Sequence, residues 1–309
     1  MGIRSKLKTN ARRALIGNLQ RQIDEAKILS AKLLETQHAT REGFTRLTDV
    51  EFKVFSQFGE DGIIAYVLSQ ISSVDESFIE FGVGNYQESN TRFILESKNW
   101  RGLVIEATGP DVEDIRSSDL LWKHELTAVH SFVTRENIDP LIRKSGFGGP
   151  LGLLSIDIDG NDYWVWESIS EVDPTVVVVE YNALWGAERA VTIPYDASFD
   201  RMAAHHSGLY FGASLRALWL LAQQKGYELI GSNSHGTNAF FVRRDSIADL
   251  RTQSPEEAHV GVRVRQARDR SGKLSYLETR DSIRAMQHLP LVDVQDGSVL
   301  NVGDLVENA

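Results

Sequence analysis

Cysteine is absent from the 309 residues. Disulfides and thiolate metal sites are thereby excluded, and a reducing compartment, the cytoplasm, is the expected setting. Long apolar runs are missing too. The longest, around residues 175–179, is strand-like and far short of the roughly 20 residues that span a bilayer. No extended apolar stretch stands near the start, so no secretory signal is expected. Basic charge is scarce: 33 Lys and Arg face 43 Asp and Glu, a net of −10 that argues against nucleic acid as a partner. Repeats and low-complexity tracts are also missing.

What basic charge there is lies mostly at one end. Residues 1–41 hold nine Lys and Arg against three acids, a net of +6, which leaves −16 on the rest. Within residues 11–37, Leu15, Leu19, Ile23, Ala26, Leu29 (or Ser30) and Leu33 recur at three- and four-residue steps, the spacing of an amphipathic helix. Such a helix packs on its own domain, on a twin subunit, or, given its charge, on a membrane surface. Trp and Phe are absent from it, which weighs against the membrane, and a homo-oligomer built through this helix is the expectation.

Residues 77–90 organise the remainder. A short apolar run (Phe78, Ile79, Phe81) breaks at Gly82 and Gly84, and polar residues including Asn85 and Asn90 lead into a helix beginning near Thr91. Glycines here let backbone amides approach a ligand closely. A second strand ends at Glu106, where a carboxylate can accept hydrogen bonds from two ribose hydroxyls. Further apolar segments, ending at Val129, Ile156 and Val179, alternate with helical ones, which predicts a doubly wound, mostly parallel sheet. The last two strands, 227–230 and 239–242, are joined by a turn too short for a crossover, so they form an antiparallel pair. Seven strands closed in this way make a Rossmann-like α/β fold of the class I methyltransferase type. The predicted divisions are a helical arm (1–48), a methyltransferase-type domain (49–245) and a charged extension (246–309).

The ordered series Ser56-Gln-Phe-Gly-Glu-Asp-Gly62, Phe78-Ile-Glu-Phe-Gly-Val-Gly84, Asn99-Trp-Arg-Gly-Leu-Val-Ile-Glu106, Leu154-Ser-Ile-Asp-Ile-Asp-Gly160 and Val178-Val-Glu-Tyr-Asn182 resembles FkbM-like S-adenosylmethionine-dependent methyltransferases. The resemblance covers roughly residues 50–245. It implies S-adenosylmethionine as donor and methyl transfer to a hydroxyl of a sugar or secondary metabolite. It departs from the family at Asn85, where a third glycine often stands. The resemblance implies that Glu80, Gly82 and Gly84 lie under the methionine part of the cofactor and that Gln57 reaches its carboxylate. Asn85, Asn90 and Asp157 are counted with these cofactor positions, and Ala128 and Val129 are candidates to flank the adenine.

Asp157 and Asp159 end the fourth strand, and Glu180 and Asn182 end the fifth. Residues two apart on a strand face the same way, and adjacent strands lie about 4.8 Å apart. Three carboxylates and an amide oxygen form a hard-oxygen set suited to Mg2+ or Ca2+. The resemblance to catechol- and macrocin-type enzymes implies the same two strand ends as ligands. The alternative is that Asp157 or Asp159 caps the next helix and Glu180 meets substrate without metal. Candidate bases for the acceptor proton are His205, His206, His235 and Asp162, with Asp159 also counted as catalytic. The aromatic group Tyr163, Trp164, Trp166, Tyr181 and Trp185 either stacks on a sugar or packs the fold. Two competing readings stay open: a glycosyltransferase using Asp157-Ile-Asp159 as a DxD motif, and a non-catalytic oligomeric binding protein.

Overall fold

Leu153, Leu154, Ile156 and the run Val176–Val179 are apolar on both faces of their strands, so such strands must be covered on both sides. The computed structural model, which describes residues 3–40, 46–264 and 266–305, covers them with helices. The strands are β1 (Ser77–Phe81), β2 (Arg101–Glu106), β3 (Leu126–His130), β4 (Gly149–Ile156), β5 (Val172–Glu180), β6 (Val191–Thr192), β7 (Tyr227–Ser232), β8 (Asn238–Arg243), β9 (Pro290–Asp293) and β10 (Val299–Asn301). The large sheet runs β3-β2-β1-β4-β5-β8-β7. β1 to β5 are parallel, and β8 is antiparallel to both neighbours. This is the Rossmann-like fold of class I methyltransferases. The order of strands reverses between β1 and β4, which opens a crevice at their carboxyl ends. One apolar cluster lies on each face of the sheet.

The connection after β5, which the sequence presents as loop, supplies β6. This two-residue strand pairs with β9, and β9 with β10, in a second, three-stranded sheet. Two residues are too few to carry a periodic signal, so the junction of residues 183–214 with the C-terminal segment was not legible. That junction has its own apolar cluster, including Trp185, Val191, Leu209, Met286 and Leu291. Trp166 packs on Tyr227 and Phe241 under the sheet, and the indole N–H groups of Trp164 and Trp185 donate to the Ile193 and Phe211 carbonyls. The aromatic group therefore packs the fold.

The first helix, α1 (Ile3–Thr40), is longer than its periodicity predicts and packs by a different face. Ala31 is 1% exposed and Ile28 packs beside it, whereas Leu19 is 56% and Leu33 64% exposed. Polar anchors decide this orientation: Asp24 pairs with Arg92, and Glu35 with Lys98. No helix among the described residues is long and apolar enough to cross a membrane.

The segment 54–61 is held by one carboxylate. Asp61, in the first turn of α2 (Glu60–Gln70), accepts at Oδ2 from the amides of Val54, Phe55 and Ser56 at 2.7–2.8 Å and from the Ser56 hydroxyl. Complete burial pushes its pKa up to about 6 against these bonds. Its neighbour Glu60 accepts from Asn233 and Asn238, tying the segment to the β7–β8 hairpin. Asp61→Ala strands three buried amides and is expected to cost about 3–5 kcal/mol, roughly 10 °C in thermal denaturation. A fall under about 2 °C would refute this role.

Candidate functional site

Gly82 follows β1 directly, and a Cβ there would lie 1.7 Å from the Asp157 carbonyl oxygen. The ends of β1 and β4 therefore meet only because residue 82 has no side chain. Gly84 differs: a Cβ would meet no atom within 4 Å, although φ is +51°. The space beside it is the crevice. The loop between these glycines and α3 (Arg92–Lys98) is tied to Glu80. This buried carboxylate accepts from the Ser89 and Thr91 hydroxyls and the Asn90 and Thr91 amides. Burial raises its pKa against those bonds. Its oxygens thus hold the loop.

Glu106, at the end of β2, accepts the Gly84 amide on one oxygen and the Thr108 amide on the other, both at 2.8 Å. A carboxylate has about four acceptor sites, so one position on each oxygen is left for a diol. The residue borders a cavity of about 610 Å3, within the ordinary range of ligand pockets. A second cavity of about 530 Å3 adjoins it across Gln57, Gly82, Gly84 and Asp157. Glu80, Asn85 and Asn90 border this second space. Together they form a trough across the ends of β2, β1 and β4.

Several predicted positions lie elsewhere. Ala128 and Val129 do not line the trough; chain beyond β3, at Ser131, Phe132 and Val133, forms that wall. A strand end read two residues further would have found it. Asn182 is fully used by the chain: Nδ2 donates to the Leu209 and Phe211 carbonyls, and Oδ1 accepts from Leu184. It is not available as a metal ligand. Asp159 lines the cavity but turns toward Arg201, with which it pairs. Its backbone is left-handed, with φ of +57°.

The acids that come together are Asp157, Asp162 and Glu180, whose nearest oxygens lie within 4.8 Å of one another. Asp162 opens α4 (Asp162–Ser168) and accepts the Ile158 and Gly160 amides, closing the loop after β4. Burial pushes its pKa up to about 6. It stands behind the cavity wall, while Asp157 and Glu180 line it. Burial first, then the neighbouring acids, push both of these well above the usual carboxylate range. Glu180 Oε2 and Asn161 Oδ1 are buried without a partner. Three carboxylates, one of them with an orphaned oxygen, fit a hard divalent cation by donor chemistry.

None of His205, His206 and His235 lines the cavity. His235 stacks on Phe58 at 4.3 Å, and Phe58 forms the wall instead. His205 faces His206 and His288 near the C-terminal segment, and its Nδ1 meets the Ser207 hydroxyl. Arg201, Val264 and Gln266 also border the cavity. They come from the post-β5 connection and the C-terminal segment, and nothing in their spacing marks them. The guanidinium of Arg201 also lies 4.1 Å over the Phe211 ring and donates to the Gly208 carbonyl.

No family model matches the chain, and no curated protein matches it. Solved structures do. One is the mitomycin 7-O-methyltransferase MmcR, at 14% identity and TM-score 0.34, over 59% of this chain and 56% of that one. Another is PKMT2 from Rickettsia typhi in complex with AdoHcy, at 8% identity and TM-score 0.42, over 65% and 56%. A third is an O-methyltransferase from Bacillus cereus in complex with SAH, at 14% identity and TM-score 0.37, over 70% and 89%. The chain thus matches little more than half the length of the first two. The fold rests on the strand order above, and likenesses this distant decide nothing about chemistry.

Proposed function

We propose that this chain is an S-adenosylmethionine-dependent methyltransferase acting on a hydroxyl of a small-molecule or saccharide acceptor. The observation that carries the reading is Glu106, bound to the Gly84 and Thr108 amides beside the open face of Gly84. The two remaining acceptor positions fit a ribose diol. Bound in the trough, S-adenosylmethionine supplies a methyl group on a sulfonium, which needs no further activation. The residues would then orient the acceptor and receive its proton. Asp157 and Glu180 are the acids on the cavity wall, and either carboxylate would take the hydroxyl proton in place of the histidines. Arg201 and Gln266 border the acceptor side. A cation held by Asp157, Asp162 and Glu180 is a second reading, favoured by the orphaned Glu180 Oε2. It would lower the pKa of the hydroxyl.

The glycosyltransferase reading has less support. A DxD motif needs both acids on one cation, whereas Asp157 sits with Glu180 and Asp159 with Arg201. Calorimetry with S-adenosylhomocysteine against a panel of sugar nucleotides tests the choice. Binding of S-adenosylhomocysteine alone is expected, weakened at least 30-fold in Glu106→Ala. Sugar-nucleotide binding alone would overturn the reading, and binding of neither would favour a non-catalytic protein.

A further inference from the structure

The stripe that predicted α1 is left uncovered by the fold. Leu19, Ile23, Leu29 and Leu33 are all more than 40% exposed. Residues 17–23 are exposed throughout, so among the described residues α1 leaves its own body ahead of Asp24. Along one face the order of sizes is Leu19, Ile23, Ala26, Ser30, Leu33. Two large residues precede two small ones. Ala26 and Ser30 border a depression of about 350 Å3 between the helix and residues 52–54, edged also by Ile23, Ala31 and Leu34.

We propose that this depression receives the same helix of a second copy of the chain, running antiparallel about a twofold axis near residues 24–25. In the seam of an antiparallel pair, four-residue steps lie against four-residue steps and three-residue steps against three-residue steps. Centred there, Ile23 of one helix lies over Ala26 of its partner, and Leu19 over Ser30. These two large side chains each meet a small one, and the twofold repeats the match on the other side. A register centred near residue 28 would set Ala26 against Ser30 and leave a void. Direction is favoured by charge. Arg4, Lys6, Lys8, Arg12 and Arg13 stand in the first turns without an acid among the first 23 residues. In the antiparallel pair this basic end extends past residue 36 of the partner toward its body. Residues 42–309 carry a net −16. A parallel pair would bring the two basic ends together.

The chain has no cysteine, which makes the test clean. Light scattering of the full chain is expected to give twice the chain mass of 34.6 kDa, and Ile23→Glu to halve it without changing the circular dichroism. Leu19→Cys combined with Ser30→Cys is expected to form an oxidised dimer, while each single variant stays uncrosslinked. Within one helix the two positions are about 16 Å apart, too far for an internal disulfide. A monomeric wild type, or crosslinking of the single variants, would overturn the proposal. So would a monomer that sediments with phosphatidylserine vesicles, which would assign the stripe to a membrane surface.

Discussion

Gly84→Val is expected to lower the affinity for S-adenosylhomocysteine at least 100-fold in calorimetry, with the fold retained. Gly82→Ala, a smaller change two residues away, is expected to damage the fold itself. The two positions differ in what a side chain would meet. At residue 84 a Cβ projects into open crevice, so the added atoms compete with a ligand. The left-handed backbone costs a β-branched residue about 1–2 kcal/mol, a fall of a few degrees in thermal denaturation. At residue 82 the Cβ would overlap the Asp157 carbonyl at 1.7 Å, so the ends of β1 and β4 must part. Separating two central parallel strands exceeds about 4 kcal/mol, the range of severe core changes. Micromolar binding retained by Gly84→Val would remove the trough from consideration as the donor site. A normal melting temperature for Gly82→Ala would show that the strand ends yield.

Glu180→Gln is expected to stabilise the protein while abolishing its chemistry. Asp157 and Glu180 are both held well above their ordinary values of 3.8 and 4.5, by burial first and then by neighbouring acids. Between the ordinary and raised values the folded chain keeps protons that the unfolded chain has released. Stability therefore falls as pH rises through that window, because the unfolded state gains by ionising first. Removing one acid removes that loss. The melting temperature of Glu180→Gln, relative to wild type, is expected to be unchanged near pH 4 and higher by several degrees at pH 8. About 1–3 kcal/mol is the range for relieving a buried, unpaired charge. S-adenosylhomocysteine affinity is expected to stay within about threefold, and methyl transfer to fall by about 10²–10⁴, the contribution of a positioned base. If Mg2+ at pH 8 raises the wild-type melting temperature but not that of the variant, the acids hold a cation. An unchanged pH profile would refute the buried-acid cluster.

Much of the large sheet was legible because its signals are local. Unbroken apolar runs state that a strand is covered twice, and a tight turn at residues 233–237 states that the last pair is antiparallel. The trough was legible for a related reason. In this topology the chemistry sits at strand ends, so Gly82, Gly84, Glu106, Asp157 and Glu180 are read by following each strand to its stop. What strand ends cannot give is the direction a side chain takes after the strand has ended. Asp157 and Asp159 look equivalent two residues apart, yet Asp159 has a positive φ and pairs with Arg201. Asp162, one residue into the next helix, joins the acids instead. His205 and His206 misled because a long loop gives no register by which to place them, and His235 because its ring leaves the hairpin turn to stack on Phe58.

The amino-acid sequence by itself determined that the chain forms a doubly wound sheet with a glycine-lined crevice at its centre. Hydrophobic burial and backbone sterics act over a few neighbouring residues, so the order of residues suffices to state them. Tertiary structure decided which acids converge, that the C-terminal segment lends Val264 and Gln266 to the cavity, and which face of α1 is left bare. These depend on packing between segments far apart in the chain. For α1 the choice was made by two ion pairs and a small residue at Ala31, and the leucine stripe that announced the helix was left facing outward.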